Sequence, residues 1–139
     1  MQEVVGHRFP GGTYTIEPLE NTLLSDVMRM PPLPDGIAHP AYLFHAPLAG
    51  AGVRIEEMFA LCRAESDEAV RAGEYRWTLR EPLRVGATYR MSGGITGVER
   101  KQGRRGGLMD VVSFVIDLHD EDGALVASTG SSWIFLRSE

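Results

Sequence analysis

The chain of 139 residues has a single cysteine, Cys62. One cysteine excludes an internal disulfide framework and any multi-cysteine zinc or iron–sulfur site. Long hydrophobic runs are missing as well. The apolar stretches are a few residues long, against the roughly 20 needed to span a bilayer. The opening MQEVVGHRFPGG has neither a basic flank nor an apolar core, so no targeting segment is expected. Basic residues are outnumbered, with Lys plus Arg at 14 and Asp plus Glu at 19, for a net charge of −5 and a pI near 5.4. Such a chain has no general attraction to nucleic acid or to an anionic membrane surface. No His or carboxylate pair stands at a metal-ligand spacing, so neither a metal nor a cofactor is expected. No repeat and no low-complexity tract is present. Apolar residues are 43% and charged residues 24%, close to the globular average. A single soluble, cytoplasmic domain over residues 1–139 is the expectation.

What is present falls into two halves. Pro10-Gly11-Gly12 signals a turn. Thr13 to Ile16 reads as a short strand, and Asn21 to Met30 as either a short helix or an extended segment. Pro31, Pro32 and Pro34 stop any helix, because proline lacks the N–H and restricts the residue before it. Residues 47–65 are the helix candidate. Leu48, Ala51, Ile55, Met58, Phe59 and Cys62 recur at spacings of three and four, and Pro47 suits a first helical turn. Gly50 and Gly52 make that start small. Either the helix packs closely on a sheet there, or an oxygen atom approaches its free N–H groups.

The second half alternates. Strands are predicted near 74–81, 84–100, 107–119 and 124–136. Gly93-Gly94 marks a bulge or bend. Asp120-Glu121-Asp122-Gly123 marks a hairpin. Short connections suggest an antiparallel meander. A sheet of this size must bury one face, and the 47–65 helix is its apolar partner. The arrangement is an α+β hotdog fold, an antiparallel sheet wrapped around one central helix. Small residues on the last strand (Ala127, Ser128, Gly130, Ser131, Ser132) allow a neighbour to approach, so a dimer joined edge to edge is expected.

The run EPLRVGATYRMSGGITGVERKQGRRGGLMDVVSFVIDLHDEDGALVASTGSSWIFLR resembles the MaoC-like acyl dehydratase and hydratase family, in particular its N-terminal dehydratase-type domain. The likeness lies in the PLRVG turn, the ITGVERKQGRRG strand and loop, and the DEDGALVA hairpin, and it covers about two thirds of the chain. It implies an acyl thioester of coenzyme A or of acyl carrier protein as ligand, with water added to an enoyl chain or removed from a 3-hydroxyacyl chain. The family's motif is an Asp, an Asn, and a His five residues after the Asp, just before the central helix. Here the region reads Asp35-Gly36-Ile37-Ala38-His39-Pro40. His39 matches the family's His. Asp35 stands four residues before it, and the Asn is absent.

The candidates for acid–base work are therefore His39, Asp35 and His45. Gly50 and Gly52 are the candidates to hold the thioester oxygen through backbone N–H groups. Arg100, Lys101, Arg104 and Arg105 cluster in one loop. They form either a solvated loop or, with Arg104 and Arg105 foremost, a site for coenzyme A phosphates or an acidic carrier. Glu56 and Glu57 are exposed helix charges, or the carboxylates of a hotdog thioesterase. Cys62 reads as a core residue. Three functions compete: a hydratase or dehydratase, a non-catalytic hotdog subunit that completes a partner's active site, and a thioesterase. The expected partner is a second hotdog chain, identical or different.

Overall fold

The alternating second half does form strands. In the computed structural model, which describes residues 1–105 and 107–138, they build one antiparallel sheet with β1 (Gly12–Thr15), β2 (Val70–Leu79), β3 (Thr88–Gly103), β4 (Gly107–His119) and β5 (Leu125–Leu136). The strand order is β1-β3-β4-β5-β2. Strands β3, β4 and β5 are the expected meander, joined by tight turns. The four-strand meander is corrected at its first member: β2 does not pair with β3 but crosses over to the far side of β5, with Trp77 opposite Thr129.

Alternation decides which face is buried. Val112, Phe114, Ile116 and Leu118 of β4 point inward with Met91 and Ile95 of β3 and Trp133 and Phe135 of β5. Phe9, Phe114, Trp133 and Phe59 form a chain of edge-to-face ring contacts, with Phe114 and Trp133 at 5.4 Å. The glycine pair lies beside a bulge, since the β3–β4 register shifts between Ile95 and Gly97. Gly94 also lets the N-terminal segment cross at close range, because a Cβ there would strike the His7 carbonyl.

The central helix differs from the 47–65 expectation. Three α-helices form: α1 (Pro18–Val27), α2 (Tyr42–Gly50) and α3 (Ile55–Leu61). The sequence periodicity runs through both α2 and α3, but the chain breaks between them at Gly52, whose φ is +77°. A left-handed residue ends a helix. The helix also begins five residues earlier than Pro47, which sits in its interior on the buried side. There the missing N–H removes one helical bond to the Leu43 carbonyl. Helix α2 lies on the sheet through Tyr42, Leu43, Ala46, Pro47 and Gly50, all buried. The Asn21–Met30 alternative resolves as helix, and α1 is inverted: it buries Asn21 and Ser25 and exposes Leu19, Leu23 and Val27. Among the described residues no helix is long and apolar enough to cross a membrane.

One buried ionic node ties the layers together. Asp110 is in phase with Val112 and Phe114, so its carboxylate points inward and is 1% exposed. It accepts from Arg100 Nε and Nη2 at 2.8 and 2.9 Å and from Arg137 Nε at 2.9 Å. Arg137 also donates to the Cys62 carbonyl at 2.6 Å, which joins the end of β5 to the end of α3.

Candidate functional site at the start of the central helix

The approach to α2 is built from a proline-rich loop. Asp35 lies in a single 3-10 turn at φ +63° and is followed by Gly36 at +73°. Asp and Gly tolerate this left-handed region better than other residues. The turn leaves the Asp35 side chain exposed, while its carbonyl accepts from Arg84 Nη1 at 3.3 Å. Ile37 then bridges to Arg84, and the chain turns inward at Ala38 and His39. His39 is buried. Its N–H donates to the Asn21 Oδ1 at 2.9 Å, which is why α1 carries a buried asparagine. Its Nδ1 accepts from the Ala41 N–H at 3.0 Å. Asp35 and His39 therefore occupy different environments, and no hydrogen bond joins them.

The first turn of α2 uses its own donors. The Tyr42 N–H bonds the His39 carbonyl at 3.1 Å, Leu43 bonds the Pro40 carbonyl at 2.9 Å, and Phe44 bonds the Ala41 carbonyl at 3.0 Å. Pro40 has no N–H, and Ala41 is spent on His39. A helix start normally offers unpaired N–H groups to a ligand; here they are satisfied within the chain. Gly50 and Gly52 stand at the other end. This corrects the expected placement at a helix N-terminus, which followed from starting the helix at Pro47. Their smallness serves packing: a Cβ on Gly50 would meet Met91 Sδ at 2.7 Å, and Gly52 sits against the Gly11 carbonyl.

His45 is exposed on α2, with its ring edge-on to Tyr14 at 5.6 Å and 6.5 Å from Tyr42. The Tyr14 hydroxyl donates to the Glu20 carboxylate. Burial, and then the Glu20 carboxylate, push both the Tyr14 and Tyr42 phenols above the ordinary tyrosine range. A groove of about 270 Å³ lies here, lined by Glu20, Leu24, Ala41, Tyr42, Phe44 and His45. The buried Tyr42 hydroxyl lies beside the Glu20 carboxylate there, while His39 Nε2, outside the groove lining, is buried without a hydrogen-bond partner. Sequence reasoning passed over Tyr42, because it stands before the helix expected to start at Pro47.

The other candidates are scattered. Arg104 and Arg105 are exposed at the tip of the β3–β4 hairpin, whereas Arg100 is engaged by Asp110. Glu57 caps α3 by accepting from the Arg54 N–H at 3.2 Å, and Glu56 is exposed. Cys62 is fully buried, and that burial pushes its thiol up to about 11. Among the described residues no three His, Cys, Asp or Glu side chains gather in a metal-binding group. A larger groove of about 420 Å³ lies on the outer sheet face between Arg76 and Lys101; of the basic cluster singled out in the sequence, Lys101 lines it and Arg104 and Arg105 do not.

The edge beside the site is open. Strand β2 is ten residues long and exposed along nearly its whole length. Tyr75, Trp77 and Leu79 stand out with 37%, 45% and 46% exposure, and Phe44 of α2 joins them at 5.1 Å from the Tyr75 ring. An unpaired strand edge carrying large apolar side chains is a surface that proteins usually cover.

This is a hotdog fold, and the solved structures similar to it include dehydratases and a hypothetical thioesterase, all at low sequence identity. No family model matches the chain, and no curated protein matches it. The ChsH1-ChsH2 complex of Mycobacterium tuberculosis is similar at TM-score 0.73 and 16% identity, over 96% of this chain and 86% of that one. The C-terminally truncated HadBC complex of the same organism, a 3R-hydroxyacyl-ACP dehydratase, is similar at TM-score 0.67 and 13% identity, over 94% and 96%. A MaoC-like dehydratase from Rhodospirillum rubrum is similar at TM-score 0.55 and 13% identity, over 97% and 94%.

Proposed function

We propose that this chain is one subunit of an acyl-thioester hydratase or dehydratase, and that it pairs through β2 with a second hotdog chain which supplies the acid–base groups. The carrying observation is the helix start. Asp35 is exposed and not hydrogen-bonded to His39, so the pair that the sequence resemblance implies is not assembled here. The open β2 edge with Tyr75, Trp77 and Leu79 supports a hotdog partner, and two of the similar structures are two-component hotdog complexes. The acyl chain would lie along the apolar groove beside α2, with coenzyme A or a carrier protein outside. Exposed Arg104 and Arg105 are available for its phosphates. The second reading, in which the chain is catalytic by itself, is favoured by one observation: His39 Nε2 is unspent.

The experiment is a panel of short and medium enoyl and 3-hydroxyacyl thioesters. Each is incubated with the chain alone and with candidate hotdog partners, following enone absorbance and free thiol. Turnover only in the mixed sample supports the subunit reading. Turnover by the chain alone, lost in His39→Ala, supports the second reading. Thiol release without enone change would indicate a thioesterase.

A further inference from the structure

Two spaces adjoin helix α2, and one of them is closed. Between Leu43 and Pro47 of the helix and Trp77, Ile116 and Thr129 of the sheet, the seam leaves a gap of about 10 Å³, room for one water at most. Beside the start of the helix the groove is about 270 Å³. Phe44 lines both spaces. Its ring meets the Tyr75 ring edge-on at 5.1 Å, so it reaches from α2 across the seam to β2. Phe44 is 49% exposed, and Tyr75 and Trp77 beside it are exposed as well, so the three rings are not core. Tyr75 and Trp77 stand on the inner face of the sheet, with Trp77 opposite the buried Thr129. Pairing of the β2 edge with another strand satisfies its backbone groups but does not cover side chains that stand on a face. Three aromatic rings at the mouth of this seam therefore need an explanation besides strand pairing.

Resting on the reading above, in which the acyl chain lies in the groove beside α2, we infer that Phe44, held against Tyr75, sets the acyl chain length. It ends the groove and keeps a longer tail out of the seam between α2 and β2. The substrates are then short and medium acyl thioesters, since a groove of about 270 Å³ falls below the roughly 300–1,000 Å³ of sites for drug-sized ligands. Leu24, Ala41 and Phe44 form its apolar wall, while Glu20 and His45 are exposed and polar and give a methylene no cover. Each methylene that gains apolar cover raises affinity about fourfold, and one left in water adds nothing. Phe44 acts on the tail and not on the reacting atoms, so it determines specificity without taking part in the chemistry.

The test titrates saturated acyl coenzyme A thioesters, from butyryl to palmitoyl, into the assembled protein by calorimetry. These compounds cannot be hydrated or dehydrated, so binding is read alone, and the readout is the chain length at which affinity stops rising. For the parent the rise of about fourfold per methylene should stop before the lauroyl member. Phe44→Ala, with an unchanged far-ultraviolet circular dichroism spectrum, should carry the rise on by about two methylenes, a gain of about tenfold for the first tails beyond the parent's limit. Phe44→Trp should stop the rise at a shorter chain. A loss of packing alone would lower affinity at every length without moving the limit. The same limit in the parent, Phe44→Ala and Phe44→Trp would overturn the inference, and would mean that the rings serve only the β2 interface. A parent affinity that climbs through palmitoyl would overturn it too, with the acyl-thioester reading left standing. No binding of any member by any assembly would overturn that reading, and this inference with it.

Discussion

Replacing Asp110 by Asn should be among the most damaging single changes outside the hydrophobic core. The carboxylate is 1% exposed and is held by two guanidiniums. Asn keeps the shape but removes the charge, so Arg137, at 10% side-chain exposure, is left buried beside a neutral amide. Arg100 is 56% exposed and can turn to water, so leaving its guanidinium unpaired adds little to that cost. Breaking a buried pair from one side costs about 3–5 kcal/mol; for the isosteric Asn we expect about 3 kcal/mol. With a urea slope of about 2 kcal/mol per molar, the unfolding midpoint should fall by about 1.5 M. Arg100→Ala takes two hydrogen bonds from the buried Asp110 carboxylate and should cost about 1–3 kcal/mol.

The pH dependence gives a second readout. The two arginines beside Asp110 hold its carboxyl at about 2, below the ordinary 3.8, with the Arg100 hydrogen bonds the largest cause. A depressed folded-state value means stability that is fully present above about pH 4 and lost as pH falls toward 2, about 2 kcal/mol in all. The gap between parent and Asp110→Asn should therefore narrow on going from pH 6 to pH 2.5. Urea titrations at matched protein concentration measure it. A midpoint equal to the parent's at pH 6, or a gap of the same size at both pH values, would refute the reasoning.

Three further outcomes are expected. Trp77→Glu with Leu79→Lys on β2 should shift the assembled protein to monomer by light scattering at micromolar concentration while leaving the fold intact; an unchanged oligomer would move the interface elsewhere. Gly93→Ala places a Cβ against the Val115 carbonyl and should destabilise by about 1–3 kcal/mol in thermal melts. Arg104→Ala with Arg105→Ala should weaken coenzyme A thioester binding at low salt, with the effect shrinking as salt rises; equal affinity at low salt would leave the hairpin tip merely solvated.

The strands were legible because alternation and burial share one period: Val112, Phe114, Ile116 and Leu118 are apolar in sequence and buried in space. The same phase already carried Asp110, and an acidic residue on an inward face demands a cationic partner, so the ionic node was also within reach. The helix was misplaced for two physical reasons. Its apolar stripe continues across the Gly52 break, and its true start at Tyr42 carries no conventional capping side chain before it. Helix α1 was ambiguous because it is inverted, with Asn21 and Ser25 inside, the asparagine to meet the His39 backbone. At the site, the sequence could place His39 beside the helix. It could not reveal that the ring is an acceptor at Nδ1, nor that Tyr42 is buried beside the Glu20 carboxylate, since both depend on how the segments before α2 fold over it.

The central claim is that this chain works as half of a hotdog pair and does not carry the acid–base dyad itself. It is tested most directly by the rate of hydration of an enoyl thioester in the reconstituted pair, compared between the parent and Asp35→Asn. The account predicts no turnover by the purified chain alone, turnover when the partner is added, and the same rate for Asp35→Asn, because its exposed carboxylate has no part in the chemistry. Turnover by the chain alone that falls a hundredfold or more in Asp35→Asn, the usual scale for a lost acid–base group, would contradict it.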